Sequence, residues 1–152
     1  MAAVGQLHLL KICVGAAVVE DLEAWQALRA PLDRAAGRAG VAHVTRMWPR
    51  RARELLDGGS LYWVFKGLVL ARQRILALEP ATGEDGVTRC AIVLDPDLAR
   101  VAPQPRRPFQ GWRYLTSAEA PPDLGAAVGT DALPYEIEAA LADIGVTARR
   151  AR

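Results

Sequence analysis

Between Leu61 and Leu94 the chain consists almost wholly of strand-forming residues, interrupted by the turn signal Gly83-Glu84-Asp85-Gly86. Two extended segments joined by so short a glycine-bracketed turn are expected to pair as a hairpin, because pairing satisfies the backbone groups of both. The first segment alternates from Leu61 to Ala71. Tyr62, Val64, Lys66 and Leu68 share one face, and Leu61, Trp63, Phe65 and Val69 share the other. The second set is the expected core face. Gly67 lies inside this run, where a residue without Cβ suits a bulge or the tight bend of a curved sheet. Arg72 to Glu79 continues the strand or forms another, and Val87 to Leu94 returns after the turn.

The flanking segments supply helices and further strands. Leu7 to Val14 is a short apolar run ended by Gly15, as a buried strand would be. Val19, Leu22, Trp25, Leu28 and Leu32 recur at helical spacing, with Glu20, Asp21 and Glu23 in the first turn and Pro31 expected to end or bend the helix. Ala42 to Trp48 alternates as a strand closed by Pro49, which also suits the first position of a short helix through Leu56. Leu98 to Ala102 fits an edge strand, and the following Pro103-Gln104-Pro105-Arg106-Arg107-Pro108 is expected to be extended and exposed. Phe109 to Leu115 fits a last strand, Ala120 to Thr130 a loop, and Pro134 to Ile144 a terminal helix stopped by Gly145.

A helix, then several closely spaced strands, then a helix indicates one α+β domain over residues 1–148, followed by a basic tail at residues 149–152. The expected architecture is a small antiparallel, strongly bent sheet or a β-barrel flanked by an N-terminal and a C-terminal helix. A doubly wound parallel fold is disfavoured, since helices do not alternate with the central strands. A length of 152 residues suits a single core. No apolar run approaches the roughly 18 residues of a membrane helix, so no membrane contact is expected. The N-terminal residues lack a basic leader with an apolar stretch, so the chain is expected to be cytoplasmic. Cys13 and Cys90 lie in apolar runs with no Cys or His at metal-ligand spacing. They are expected to be buried and reduced, with no metal or other cofactor.

Charge is unevenly spread. From Arg46 to Arg113 there are twelve basic residues against seven acidic ones, whereas the two flanks together are acidic on balance. Seventeen arginines against Lys11 and Lys66 alone are what a GC-rich genome tends to encode, but such a bias would not explain the central position of the charge.

Catalytic patterns are incomplete. His8 and His43 each sit in a strand-like apolar run and suit packed or hydrogen-bonded roles, and Ser60 and Ser117 lack a Gly-x-Ser-x-Gly elbow. Asp57-Gly58-Gly59-Ser60 fits a turn better than a phosphate nest, since no Gly-Lys-Ser/Thr follows. Glu84 and Asp85 at a hairpin tip are expected to be solvated. Interleaved arginines and indoles are the more informative pattern. Guanidinium groups fork onto phosphate, and an indole offers a face on which a base can stack. The candidate nucleic-acid-binding residues are Arg46, Trp48, Arg50, Arg51, Lys66, Arg72, Arg74, Arg106, Arg107, Gln110, Trp112 and Arg113. Arg72 and Arg74 share a strand face and so suit a joint phosphate contact. The structural alternative has Trp48 and Trp112 in the core and the arginines paired with Glu54, Asp57 and Asp95.

Several of these segments together resemble a known family. Thr45-Arg46-Met47-Trp48-Pro49, Asp57-Gly58-Gly59-Ser60-Leu61-Tyr62-Trp63-Val64, Arg72-Gln73-Arg74-Ile75 and Arg106 through Tyr114 resemble the bacterial domain of unknown function 1489, DUF1489. The opening Leu10-Lys11-Ile12-Cys13-Val14-Gly15 and the Trp25 helix extend that resemblance over nearly the whole chain. It carries no assigned activity and so implies no catalytic residues. In the order of its elements the chain is also similar to the PUA-like group, including ASCH and EVE domains, which are small barrels that bind RNA or modified bases. Where the ASCH pattern has Gly-x-Lys and then Glu-x-Arg, this chain has Asp57-Gly58-Gly59-Ser60 and then Leu61-Tyr62-Trp63. The expected function is RNA or nucleotide binding without catalysis. The alternatives are a small enzyme using His43, Glu54 or Asp57 on a nucleotide or phosphorylated substrate in the same basic cleft, and a module that docks an acidic protein.

Overall fold

The computed structural model of the protein describes residues 7–124. In order, these form β1 (Leu7–Ile12), α1 (Val19–Ala35), β2 (Val41–Thr45), α2 (Ala52–Leu56), β3 (Ser60–Phe65), β4 (Leu68–Thr82), β5 (Thr88–Leu94), β6 (Ala99–Pro105) and β7 (Trp112–Thr116). The terminal helix expected at Pro134 to Ile144, most of the loop after Leu124 and the basic tail lie outside the described residues.

The described part is an α+β structure dominated by a seven-stranded mixed sheet of order β2-β5-β4-β3-β1-β7, with β6 paired to β4. The sheet is not wholly antiparallel, because β1 and β3 run parallel, with Leu9 opposite Leu61 and Ile12 opposite Val64. Parallel neighbours need a crossover between them, and here the crossover is α1-β2-α2. Pairing between strands so far apart in the chain has no local signal. Nor is the sheet closed into a barrel, since β2 pairs only with β5 and β7 only with β1 among the described residues. It is nevertheless strongly curved. His43 on β2 meets Trp63 on β3, with two strands between them in the order, at a ring-centroid distance of 5.0 Å. Register shifts at Trp63/Val64, Val69/Ala71 and Ile75/Ala77 mark where the long strand and its neighbours bend.

The expected long strand through Gly67 is instead a hairpin. Lys66 and Gly67 have φ of 49° and 85°, and Phe65 pairs with Leu68. Two consecutive residues with positive φ make the tight turn whose twist matches that of the flanking strands. Lys66 therefore leaves the face of Tyr62 and Val64 and stands exposed at a hairpin tip. Leu61, Trp63 and Phe65 are buried on the expected face, whereas Val69, beyond the turn and opposite Val64, is buried on the face of Tyr62 and Val64. Tyr62 and Val64 are buried too, because β1 and β3 carry core on both faces. One face joins Leu7, Leu9, Leu61, Trp63 and Phe65 to Ile75, Ile92 and Leu94 under Val19 and Leu22 of α1. The other joins Leu10, Tyr62, Val64, Val69, Val101 and Leu115. Cys13 and Cys90 are buried and unpaired by any disulfide.

Helix α1 does not use the stripe that its hydrophobic spacing suggests. Val19 and Leu22 are buried, but Trp25, Leu28 and Leu32 are exposed. The inward positions further along are Gln26, Arg29 and Asp33, which continue from Leu22 at steps of four, three and four. Gln26 bonds reciprocally with Gln73 of β4, at 2.8 and 2.7 Å. Asp33 accepts from the Ala42 amide at 3.4 Å and from Arg38 at 3.1 Å. Polar partners on the sheet thus set the rotation of the helix. They also hold its last turn, which runs past Pro31 to Ala35 instead of ending there.

Candidate functional site

Alternation along β1, β3 and β4 puts His8, Ser60, Tyr62 and Arg72 on one face of the sheet. Cross-strand register sets Tyr62 opposite Arg72 and Ser60 opposite Arg74. The segment after β7, from Ser117 to Asp123, forms the opposing wall. It is fixed to β6 by Ala102 N–H donating to the Pro122 carbonyl at 2.9 Å and Leu124 N–H to that of Arg100 at 2.8 Å. Between wall and sheet lies a cleft of about 340 Å³. His8, Ser60 and Tyr62 are buried at its floor, while Arg72, Ser117, Pro122 and Asp123 reach its rim.

The polar groups of the cleft are already organised. Arg72 donates from Nε to Asp123 Oδ1 at 2.7 Å, from Nη2 to Oδ2 at 2.5 Å, and from Nη1 to Ser60 Oγ at 2.8 Å. This two-pronged contact neutralises the arginine within the protein. His8 Nδ1 accepts the Ser60 backbone N–H at 3.0 Å. A backbone amide can only donate, so the neutral imidazole carries its hydrogen on Nε2. Nε2 lies 3.1 Å from Ser117 Oγ and donates to it. A serine nucleophile requires the opposite polarity, with the ring nitrogen accepting the hydroxyl proton. Burial raises the pKa of Tyr62 and keeps its phenol neutral.

The structure distributes the twelve sequence candidates over three regions. The first is the Arg46–Arg51 segment, which lies against β7. Trp112 Nε1 donates to the Met47 carbonyl at 3.0 Å, and the Arg51 N–H to the Tyr114 hydroxyl at 3.1 Å. Arg51 also lies 5.5 Å from the Tyr114 ring and pairs with Glu54. Trp48 is 42% exposed and Arg46 and Arg50 are exposed, while Trp112 is partly buried against the core. The second region is the β3–β4 hairpin tip with Lys66. The Arg106 N–H donates to the Gly67 carbonyl at 2.8 Å and its Nε to Gln104 Oε1 at 3.1 Å. Arg107 and Gln110 follow in the exposed β6–β7 connection. The third region is the cleft, with Arg72 inside and Arg74 exposed beside it.

Arg113 faces the same side of the sheet as Leu10 and the cleft, with its guanidinium 5.3 Å from the Phe109 ring. Its neighbour Trp112 faces the other side. Arg72 and Arg74 do share a face, but Arg72 is bound to Asp123 and Arg74 is in no ion pair among the described residues. His8, Ser60, Tyr62, Ser117 and Asp123 were not candidates. No local motif joins residues that lie up to 115 positions apart.

The enzyme alternative finds its groups scattered. Glu54 is exposed and paired with Arg51, Asp57 is exposed, and His43 lies on the other side of the sheet. The two amides after Gly58 are also occupied, Gly59 N–H by the Leu55 carbonyl and Ser60 N–H by His8, so the segment serves as a turn. Among the described residues no cluster of His, Cys, Asp and Glu could hold a metal ion, and no helix is long and apolar enough to cross a membrane.

His43 has a structural consequence instead. Its Nε2 is buried without a hydrogen-bond partner among the described residues. Burial, reinforced by Lys11 and Arg29, lowers its pKa to about 4. The unfolded chain takes up this proton near pH 6.5 and the folded one only near 4, so stability contributed by neutral His43 is complete above pH 6.5 and is lost on acidification through that window. The expected loss is about 3 kcal/mol. Urea titrations between pH 7 and 4 should show a shallower acid slope for His43→Gln than for the parent, and equal slopes would refute the assignment.

A family model described as a protein of unknown function, DUF1489, matches residues 9–147. No curated protein and no solved structure matches the chain.

Proposed function

The chain belongs to the DUF1489 family, whose description assigns no activity, and from its geometry we propose that it binds RNA or a nucleotide without transforming it. The observation that carries this reading is the occupied Nδ1 of His8. Because Nδ1 takes the Ser60 amide, the histidine offers its Nε2 hydrogen to Ser117 and cannot act as the base that would activate it. The carboxylate in the same cleft, Asp123, is held by Arg72. Such fixed donors and acceptors suit recognition better than proton transfer.

The partner's chemistry follows from the exposed cations. Arg46, Arg50, Lys66, Arg74, Arg107 and Arg113 are exposed and form no ion pair among the described residues, so their charges are available to phosphates. Trp48 adds an exposed indole. Filter binding of total cellular RNA at rising salt tests the proposal. With four phosphates engaged on a single strand, affinity should fall about fiftyfold between 50 and 200 mM salt. Lys66→Glu and Arg74→Glu should each weaken retention. Absence of retention even at low salt, for both RNA and mononucleotides, would overturn the proposal, and co-purification of one stoichiometric acidic protein in their place would establish the docking alternative.

A further inference from the structure

We propose that the cleft between β3, β4 and the Ser117–Asp123 wall accepts an uncharged nucleobase and excludes phosphate, which stays outside at Arg74; this rests on the nucleotide-binding reading above. The reason is charge compensation. Arg72 is the only arginine or lysine lining the cleft among the described residues, and both oxygens of Asp123 already engage its fork. A phosphate entering beside Arg72 would also enter beside that carboxylate, and the repulsion would offset the attraction. The wall cannot readily withdraw Asp123 either, because the adjoining residues Pro122 and Leu124 are bonded to β6 and Asp123 itself bridges to Val101.

What remains is a neutral site with hydrogen-bonding power of both signs. Ser60 Oγ accepts from Arg72, which leaves its own hydrogen free to donate. The carboxylate oxygens of Asp123 have lone pairs beyond those used by Arg72. Tyr62 on the floor and Pro121 on the wall present apolar surface to a ring. Donors, acceptors and flat apolar walls together match a nucleobase edge and face, whereas a tetrahedral anion would find no uncompensated charge. Arg74, opposite Ser60 on the neighbouring strand and exposed, is placed to meet the phosphate of a nucleotide whose base is inside.

Calorimetry with the intact protein and the four common ribonucleosides, which carry no phosphate, tests this directly. At least one nucleoside should bind, and inorganic phosphate in about hundredfold excess should not displace it. Asp123→Asn should weaken that binding about tenfold or more, since the site loses its acceptor charge. Displacement by phosphate would overturn the proposal by showing that Arg72 recognises anions in the intact cleft, whereas phosphate binding gained by Asp123→Asn is the expected result of removing the carboxylate that compensates Arg72. The phosphate competition uses unmodified protein and so decides the matter even if the variant does not fold. If RNA is retained but no nucleoside binds, the base site is wrong and the RNA-binding reading stands. If neither binds, both fall.

Discussion

Replacing Gln73 with leucine is expected to destabilise the fold by about 4 kcal/mol, from two or three buried polar groups losing their partners. Gln73 is fully buried in the middle of β4. Its Oε1 accepts from Trp63 Nε1 at 2.9 Å and from Gln26 at 2.8 Å, and its Nε2 donates to Gln26 at 2.7 Å and to the Asp95 carbonyl at 3.0 Å. One amide therefore ties together the core indole, helix α1 and the turn after β5. Leucine matches its volume but satisfies none of them. The partly exposed Gln26 can turn toward water, so Gln26→Leu should cost less, and the double variant should cost less than the sum of the two single ones. Chemical denaturation of the three variants measures this. A Gln73→Leu loss below about 1 kcal/mol would contradict the role given to the amide.

Gly59→Ala should be comparably severe, with a loss of about 3 kcal/mol or more and a fall in melting temperature of roughly 10 °C. A Cβ at residue 59 would lie 2.4 Å from the carbonyl oxygens of both Leu55 and Leu7. Both are backbone atoms, so the clash cannot be relieved by turning a side chain. Movement there would strain the Gly59 N–H bond to Leu55 and the Ile75 N–H bond to the Gly59 carbonyl, both 2.9 Å. The displacement would also shift the Ser60 amide that fixes the His8 tautomer. Loss of ligand binding under conditions where the variant is still folded should accompany the loss of stability. A parent-like melting curve for Gly59→Ala would show that the close approach is not required.

Local chemistry made much of the strand pattern legible. The apolar run of β1, the turn at residues 83–86, the return strand β5 and the core face of Leu61, Trp63 and Phe65 all follow from side-chain alternation and turn residues. Two readings failed for physical reasons that a single segment does not reveal. Lys66 looked like a strand residue because its neighbours alternate through it, yet Lys66-Gly67 can also take positive φ, and pairing of the two arms with each other selects the turn. The stripe from Val19 to Leu32 looked like the buried face of α1, yet Gln26, Arg29 and Asp33 turn inward because Gln73 and the Ala42 amide await partners there.

Sequence by itself determined where strands and turns can form, that the core is built on β3 and its neighbours, and that the excess of positive charge lies in the middle of the chain. These depend on spacing and composition within one segment. Only the tertiary structure decided that β1 lies parallel to β3, that Arg72 is held by Asp123 while Arg74 is in no described ion pair, and that His8 takes its hydrogen-bond polarity from Ser60. Each of these requires contact between residues some 50 positions apart, and such contacts exist only once the sheet has brought the separate strands into register.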